Sequence, residues 1–468
     1  MNSIALIGGG ITGLTAAFQL RRRNIPVTVY ESDSRVGGVI QSVRDQGYLA
    51  EFGPNTLLET SPKVRPLVED LGLEGRRLYS DPAAEHRYLV RGGRPVRLPG
   101  SAAAFIRTPL FSSRAKLRLL WEPFVRRAPA DREESVAQFV KRRIGQEFLD
   151  YAINPLIAGV YAGDPARLSV QHAFPKLHAL EQRYGSLILG QVLGASERRK
   201  RAEVSKQNAK KFSFDEGLQV LTDTLAARLK DAVRLQTFVT GIRQDDVGWT
   251  VSSVSGGREE AQKHAAIIYT GPAYRLPEIQ FNTVHEMRRD LFSQVHYPPV
   301  VSVVLGFRRT DVAHPLDGFG MLVPEKEGFN ILGTLFSSSL FPNRAPAGYI
   351  SLTTYVGGTR SPELALLNPE HLTELVVRDL HTLLGVTGKP TFRHCFLFPK
   401  AIPQYEVGYG RFKNLVDEME AKAAGLFFAG NYRDGISLSD SIASAHNAAE
   451  RAGKYIDCGT AAGVCAVA

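Results

Sequence analysis

Four apolar residues, Ile4-Ala5-Leu6-Ile7, run without a break into Gly8-Gly9-Gly10-Ile11-Thr12-Gly13. The stretch from Leu14 to Arg23 then reads as a helix, and Val27-Thr28-Val29-Tyr30 reads as a second strand closed by Glu31. Strand, glycine turn, helix, strand and terminal acid in this order specify a βαβ unit that binds a dinucleotide. Gly8 permits the tight turn, Gly10 lets backbone approach a pyrophosphate, and Gly13 lets helix and strand pack closely. Gly9, Ile11 and Thr12 complete a turn whose helix N-terminus offers unpaired N–H groups and positive dipole to phosphates. Glu31, with Ser32 beside it, stands where a carboxylate accepts hydrogen bonds from ribose hydroxyls.

A nicotinamide domain has no use for a second glycine doublet just after the ribose acid, and this chain has one: Arg35-Val36-Gly37-Gly38, followed by Val39. Glu51-Phe52-Gly53-Pro54-Asn55-Thr56 comes next. Backbone that must pass close to a ribityl chain and a flavin ring explains both segments, so the expected cofactor is FAD, held non-covalently. The Arg-x-Gly-Gly run after the acid resembles the amine oxidase and phytoene desaturase superfamily of flavoproteins. That resemblance implies that Gly53 and Pro54 lie near the isoalloxazine and that the backbone of Val239 contacts the adenine.

Near the other end, Gly425-Leu426-Phe427-Phe428-Ala429-Gly430-Asn431 reads as a strand entering a loop. Asp434-Gly435-Ile436-Ser437-Leu438 then leads into a helix from about 439 to 456, a second N-terminus suited to the flavin. The expected class is therefore α/β, with a Rossmann-type FAD-binding domain built from both chain ends (1–85, 212–280 and 411–456). A mixed-sheet substrate domain (86–100 and 281–410) and a helical domain (101–211) are inserted between them. The last residues, 457–468, are expected to be a disordered tail. Residues 86–99 and 296–358 alternate as strands do, with a hairpin at Arg91-Gly92-Gly93-Arg94. Amphipathic helices are expected at 116–125 and 136–151.

The formal net charge of +10 points to nucleic acid, an anionic membrane surface or an acidic substrate. No nucleic-acid module is present, which leaves the last two. No apolar run reaches the roughly 18 residues needed to cross a bilayer. Met1-Asn2-Ser3 leads straight into a strand with no cleavable signal, so a cytoplasmic enzyme, peripheral on the inner face of the cell membrane, is expected. Arg114, Lys116, Arg118, Arg126 and Arg127 interleave with Leu117, Leu119, Leu120, Trp121 and Phe124, a composition able to lie on anionic lipid. The basic run 198–201, with Lys206, Lys210 and Lys211, reads as a loop. Cys395, Cys458 and Cys465 form neither a metal-ligand spacing nor a paired framework, and no metal is expected.

The inserted segments carry a closer likeness. Asn154-Pro155-Leu156-Ile157-Ala158-Gly159-Val160-Tyr161-Ala162-Gly163-Asp164-Pro165 resembles the protoporphyrinogen oxidase family, nearest its plant and mitochondrial type. So do Leu316-Asp317-Gly318-Phe319-Gly320 and Ser337-Ser338-Ser339-Leu340-Phe341-Pro342-Asn343-Arg344-Ala345-Pro346. The resemblance implies six-electron oxidation of a porphyrinogen with dioxygen as acceptor and hydrogen peroxide as product. It implies that Arg87 pairs with a propionate, that Phe319, Leu322 and Tyr355 sandwich the rings, and that Gly159 lies beside the reactive methylene bridge. Relatives can carry an aliphatic residue where this chain has Tyr355. The resemblance further implies a homodimer, a membrane-contacting helical insertion and handover of product to ferrochelatase. His172 and His178 are read as capping or packing residues, and no side-chain base stands out. Three alternatives remain open: the coproporphyrinogen-oxidising branch, another flavin amine oxidase or desaturase, and a flavin-binding assembly partner without catalysis.

Overall fold

The structure, a computed structural model, describes residues 3–129, 132–193, 209–245, 248–283 and 287–465, with side chains to 458. Strand β1 (Ile4–Ile7) is buried at every residue and pairs in parallel with β2 (Val27–Tyr30) on one side and with Ala266–Tyr269 on the other. Val233–Arg234 and Leu426–Phe428 extend the sheet to five parallel strands, so segments far apart in sequence close one layer. Burial on both faces is why these strands are near-continuous Ile, Val, Leu and Phe without polar alternation.

Helix α1 spans Ile11–Arg22 and starts three residues before the expected Leu14. The turn is over by Gly10, and Gly13 is already helical, pressed so close to β1 that a Cβ would overlap the Gly8 carbonyl oxygen. The C-terminal helix, Leu438–Cys465, packs along α1 and runs past the expected end at 456. Residues up to 465 of the expected disordered tail are therefore helical, and Asp457 pairs with Arg23 of the first βαβ unit at 2.6 Å.

The second large layer has seven strands. In spatial order they are Phe392–Phe398, Val300–Arg308, Tyr349–Gly357, Ile331–Leu335, Gly318–Leu322, His86–Arg91 and Arg94–Arg97. All neighbours are antiparallel except Gly318–Leu322 with His86–Arg91, which makes the sheet mixed. The expected hairpin is present: Arg91 faces Arg94, and Gly92 and Gly93 have φ of 60° and 71°, the two positive values a tight primed turn requires. A four-stranded sheet (Arg258–His264, Gly248–Ser255, Thr237–Asp245, Gln280–Asn282) adjoins the parallel layer.

The helical insertion is more broken than its amphipathic pattern suggests. The first expected helix stops at Leu120, and Glu122–Phe124 is a separate 3-10 turn with Pro123 near its start. The second ends at Arg143, because Gly145 takes φ +100° before the chain re-enters helix and then a π turn at Leu149–Ile153. A buried ionic cluster ties these pieces together. Arg143 pairs with Glu122 and with Glu181 (3.3 Å), and Arg142 pairs with Glu134 (2.6 Å) and Glu181 (2.8 Å). Charges taken out of water must be paired this thoroughly, and removing one partner strands the rest. The basic run at 198–201 and Lys206 lie outside the described residues, whereas Lys211 is no loop residue: it opens the strand Lys211–Phe214.

Candidate active site

Three glycine segments meet at the C-terminal edge of β1 and β2. Gly37 N–H donates to the Gly9 carbonyl (2.9 Å), and Gly10 and Gly37 form an isolated parallel bridge. Gly53 sits so close to Val39 that a Cβ would overlap the Val39 carbonyl oxygen, which brings the third segment onto the second. The Val39 side chain is left exposed. Glu31 ends β2 as a buried carboxylate, accepting from the N–H of Gly9 (2.6 Å) and Asp33 (2.8 Å) and from Ser32 Oγ (3.3 Å). The Arg35 guanidinium binds the carbonyls of Val36, Gly38 and Ile40. Expected among the cofactor contacts, Arg35 thereby holds the glycine loop in shape.

The residues present fit a dinucleotide flavin. No side chain caps α1 and no acid lies in its first turn, where Ile11 and Thr12 are buried. A Cβ at Gly10 would meet nothing within 4 Å, so space lies open beside the turn from which the uncapped helix starts. The second expected N-terminus is different. Ser437 Oγ accepts from Asp440 N–H (3.2 Å) and donates to the Asp440 carboxylate (2.6 Å) just before Leu438, so the C-terminal helix is capped by its own side chains. Ile436 and Ser437 are half-buried there, able to line a ligand. Val239 lies at a bulge, where its strand shifts register between Val239 and Gly241.

The seven-stranded sheet meets this edge through one cross-strand row. Leu322 pairs with Gly333, Gly333 with Tyr355, and Tyr355 with Ser302, which puts Leu322 and Tyr355 on one face with a glycine between them. Register partners share a face of a pleated sheet. Gly159, exposed on the helix Asn154–Tyr161, lies over the same row: a Cβ on it would collide with Leu322 Cδ2. At the other end of the row the Tyr355 hydroxyl accepts from Asn55 Nδ2 (2.7 Å) and donates to the Gly53 carbonyl (3.3 Å). Burial pushes the Tyr355 phenol well up, so it is a neutral donor. Pro54 and Thr56 flank this contact, half-buried.

Arg87 belongs to the same face, since Leu89, two residues on, is the register partner of Leu322. Phe319 is the extra residue of a bulge between Gly318 and Gly320, and a bulge re-aims the side chain it carries. The structure thus brings Gly159, Leu322, Tyr355 and the Gly53–Asn55 segment together, with Arg87 and Phe319 along the same two strands. Gly333 was missed in the sequence, although a glycine inside a strand signals close approach. Glu51 was missed too. It is fully buried beside Arg344 (3.8 Å), and burial pushes its carboxyl up to about 7 despite that cation and the Ser42 and Leu218 hydrogen bonds.

His172 packs at a tilt against Tyr409 and lies 3.7 Å from Glu133, in the packing role expected of it. A cleft of about 350 Å³ lined by Arg167, Tyr274, His296, Lys400 and Glu406 shares no residue with the row, and Arg167 and His296 both bond Glu406. Among the described residues no cluster of three His, Cys, Asp or Glu could hold a metal, and no helix is long and apolar enough to cross a membrane.

Comparison with known proteins bears on this geometry. The family described as flavin containing amine oxidoreductase matches residues 11–452. A protoporphyrinogen oxidase 2 of Arabidopsis thaliana is 36% identical over 97% of this chain and 94% of its own length. A coproporphyrinogen III oxidase of Bacillus subtilis is 29% identical over 94% of this chain and 95% of its own. A crystal structure from Exiguobacterium sp. 255-15 superposes with a TM-score of 0.80 at 23% identity, covering 97% of this chain and 98% of that one.

Proposed function

This chain belongs to the flavin-containing amine oxidoreductase family, and from that premise we propose that it is an FAD-dependent oxidase converting protoporphyrinogen to protoporphyrin. The observation that carries the reading is the row Leu322–Gly333–Tyr355, an apolar floor with a glycine gap, roofed by Gly159 and abutting the Gly53–Asn55 flavin segment. A broad, flat, apolar macrocycle fits such a floor, and a compact polar amine has little use for it. Its carboxylates require a cation at the rim, a place Arg87 fills with a planar fork.

Six electrons and six hydrogens leave the porphyrinogen, and three dioxygen molecules take them up as three hydrogen peroxide. FAD, held by the glycine segments around Gly8–Gly13 and Gly53–Asn55, would supply the hydride acceptor for a ring methylene and the redox link to dioxygen. The chain's own residues bind, orient and exclude water. Gly159 and Gly333 let the ring approach without a Cβ in the way, and Leu322 closes the floor. Tyr355, held by Asn55, keeps the flavin segment in register with that floor. No ionised side chain stands on the row itself, so the pyrrole proton departs toward solvent or backbone carbonyls. Orientation in a dry slot is what the protein contributes, and the cofactor carries the chemistry.

The helical insertion supports peripheral membrane contact. Leu117, Leu120, Trp121 and Phe124 are each more than 60% exposed, with the Trp121 and Phe124 rings 5.1 Å apart among Arg114, Arg126 and Arg127. An exposed apolar tip rimmed by cations suits anionic lipid. Sedimentation with anionic vesicles at low salt, lost in Trp121→Ser/Phe124→Ser, is the expected result; equal sedimentation of both proteins would reject it. A homodimer and handover to ferrochelatase complete the proposed setting.

Function is tested by following porphyrin fluorescence and peroxide in air with each porphyrinogen. Faster turnover of the protoporphyrinogen is expected. Faster turnover of the four-carboxylate coproporphyrinogen would move the chain to that branch, as the B. subtilis relative exemplifies.

A further inference from the structure

Arg87 is not alone at the rim. Lys211 opens a strand of a different sheet, with Nζ 6.0 Å from the centre of the Phe319 ring, and it lies within the field of the Arg87 guanidinium. Both side chains are half-buried. Among the described residues neither forms an ion pair, and neither donates a side-chain hydrogen bond. The carboxylate that acts on Lys211 is Glu85, which is exposed and beyond pairing distance. Burial depresses the ionisation of both cations, and the charge of Arg87 depresses Lys211 further.

Among the described residues several other half-buried cations are matched by an acid, although Lys413, over the Tyr405 ring, is not. Arg77 is paired with Glu59, Arg142 with Glu134 and Glu181, and Arg433 with Glu420. Lys211 against the Phe319 ring and Arg87 on the strand paired with that ring's own are like charges with no acid paired to either among the described residues, an arrangement that an anion relieves. An aromatic ring beneath the lysine adds a flat apolar surface next to the charge.

We propose that Lys211 holds the second carboxylate of a substrate whose first carboxylate is held by Arg87, so that the pair reads two carboxylates on one edge of the ring. The inference rests on the porphyrinogen reading and deepens it by assigning a specificity-determining residue. The two cations divide the work by shape: the Arg87 fork fixes one carboxylate in a plane, and the Lys211 ammonium follows the other as a point charge.

The test compares flavin-loaded wild type, Lys211→Met and Lys211→Arg on protoporphyrinogen and on its monomethyl and dimethyl esters. In the wild type each esterification is expected to raise KM about tenfold with kcat little changed, the size of one charge-assisted contact at a partly buried site. In Lys211→Met the diacid is expected to bind about tenfold more weakly, and the diacid and monoester KM values converge. Lys211→Arg restores the ester dependence. Should the methionine variant fail to load flavin, Lys211→Gln gives the same comparison. A Lys211→Met enzyme that keeps the full wild-type ratio of ester to diacid KM overturns the assignment. Wild type that oxidises porphyrinogens with no ester dependence overturns it as well, while leaving the porphyrinogen reading in place. Wild type that carries flavin but oxidises no porphyrinogen removes that reading and this proposal with it.

Discussion

The βαβ unit and the seven-stranded sheet build their halves of the site by opposite means. Around β1 and α1 the working groups are backbone: glycines within a few residues of one another create space and aim N–H groups, and no long-range pairing is needed to say so. On the sheet the working groups are side chains from strands centred near residues 87, 320, 333 and 355, aligned only by register. At Gly13 and Gly53 of the first kind a substitution is costly, because a Cβ there meets backbone, while Gly10 has open space beside it. On the sheet side Gly159 yields more gradually, because its neighbour Leu322 Cδ2 is the far end of a flexible side chain, whereas Gly333 faces the Met321 carbonyl.

That contrast orders the expected effects. The largest belongs to Gly13→Val, which drives a side chain into the Gly8 carbonyl; overpacking against backbone costs about 1–3 kcal/mol or more, and the purified protein is expected to lack flavin absorbance. Full flavin content in that variant would break the comparison. Glu51→Gln follows. The folded-state pKa of Glu51 is raised from 4.5 to about 7, so the folded chain holds a proton that the unfolded chain has lost between those values. Its contribution to stability is therefore fully present below about pH 4.5 and disappears as pH rises through about 7, a change of about 3 kcal/mol. Tm of the wild type is expected to fall across that window and Tm of Glu51→Gln to fall less; parallel curves would reject the assignment.

Gly159→Ala is expected to retain flavin and lose about tenfold in kcat/KM, since Leu322 can turn aside only into the slot. Loss of flavin instead would show that the sheet side is as backbone-bound as the nucleotide side. Tyr355→Phe is smallest. It removes two hydrogen bonds of the hydroxyl, worth about 1 kcal/mol of stability, and is expected to shift the flavin absorbance maximum while lowering turnover only a few-fold. An unchanged spectrum would detach Tyr355 from the flavin segment.

Legibility in the sequence follows the same division. The turn from Gly8 to Gly13 and its flanking strands were readable because their geometry is local, and the parallel sheet followed from the βαβ pattern. The family likeness supplied Arg87, Gly159, Phe319, Leu322 and Tyr355, which by pattern alone are ordinary strand and helix residues. Sequence could not show that Tyr355 turns its hydroxyl toward Asn55, since the contact joins residues 300 apart. Nor could it show that Arg35 binds the carbonyls of its own glycine loop. Nor could sequence distinguish the uncapped α1 from the C-terminal helix, where Ser437 and Asp440 occupy each other. Lys211 was hidden in a basic run, and only its strand pairing brings it to the rim.

The most direct measurement is to mix the purified, flavin-loaded protein with protoporphyrinogen in the absence of oxygen and follow the flavin absorbance. Rapid bleaching, faster than with coproporphyrinogen and reversed on admitting air with release of peroxide, is the expected result. A flavin spectrum that persists unchanged with both porphyrinogens, yet bleaches with a primary amine, would contradict the reading of the row as a macrocycle floor.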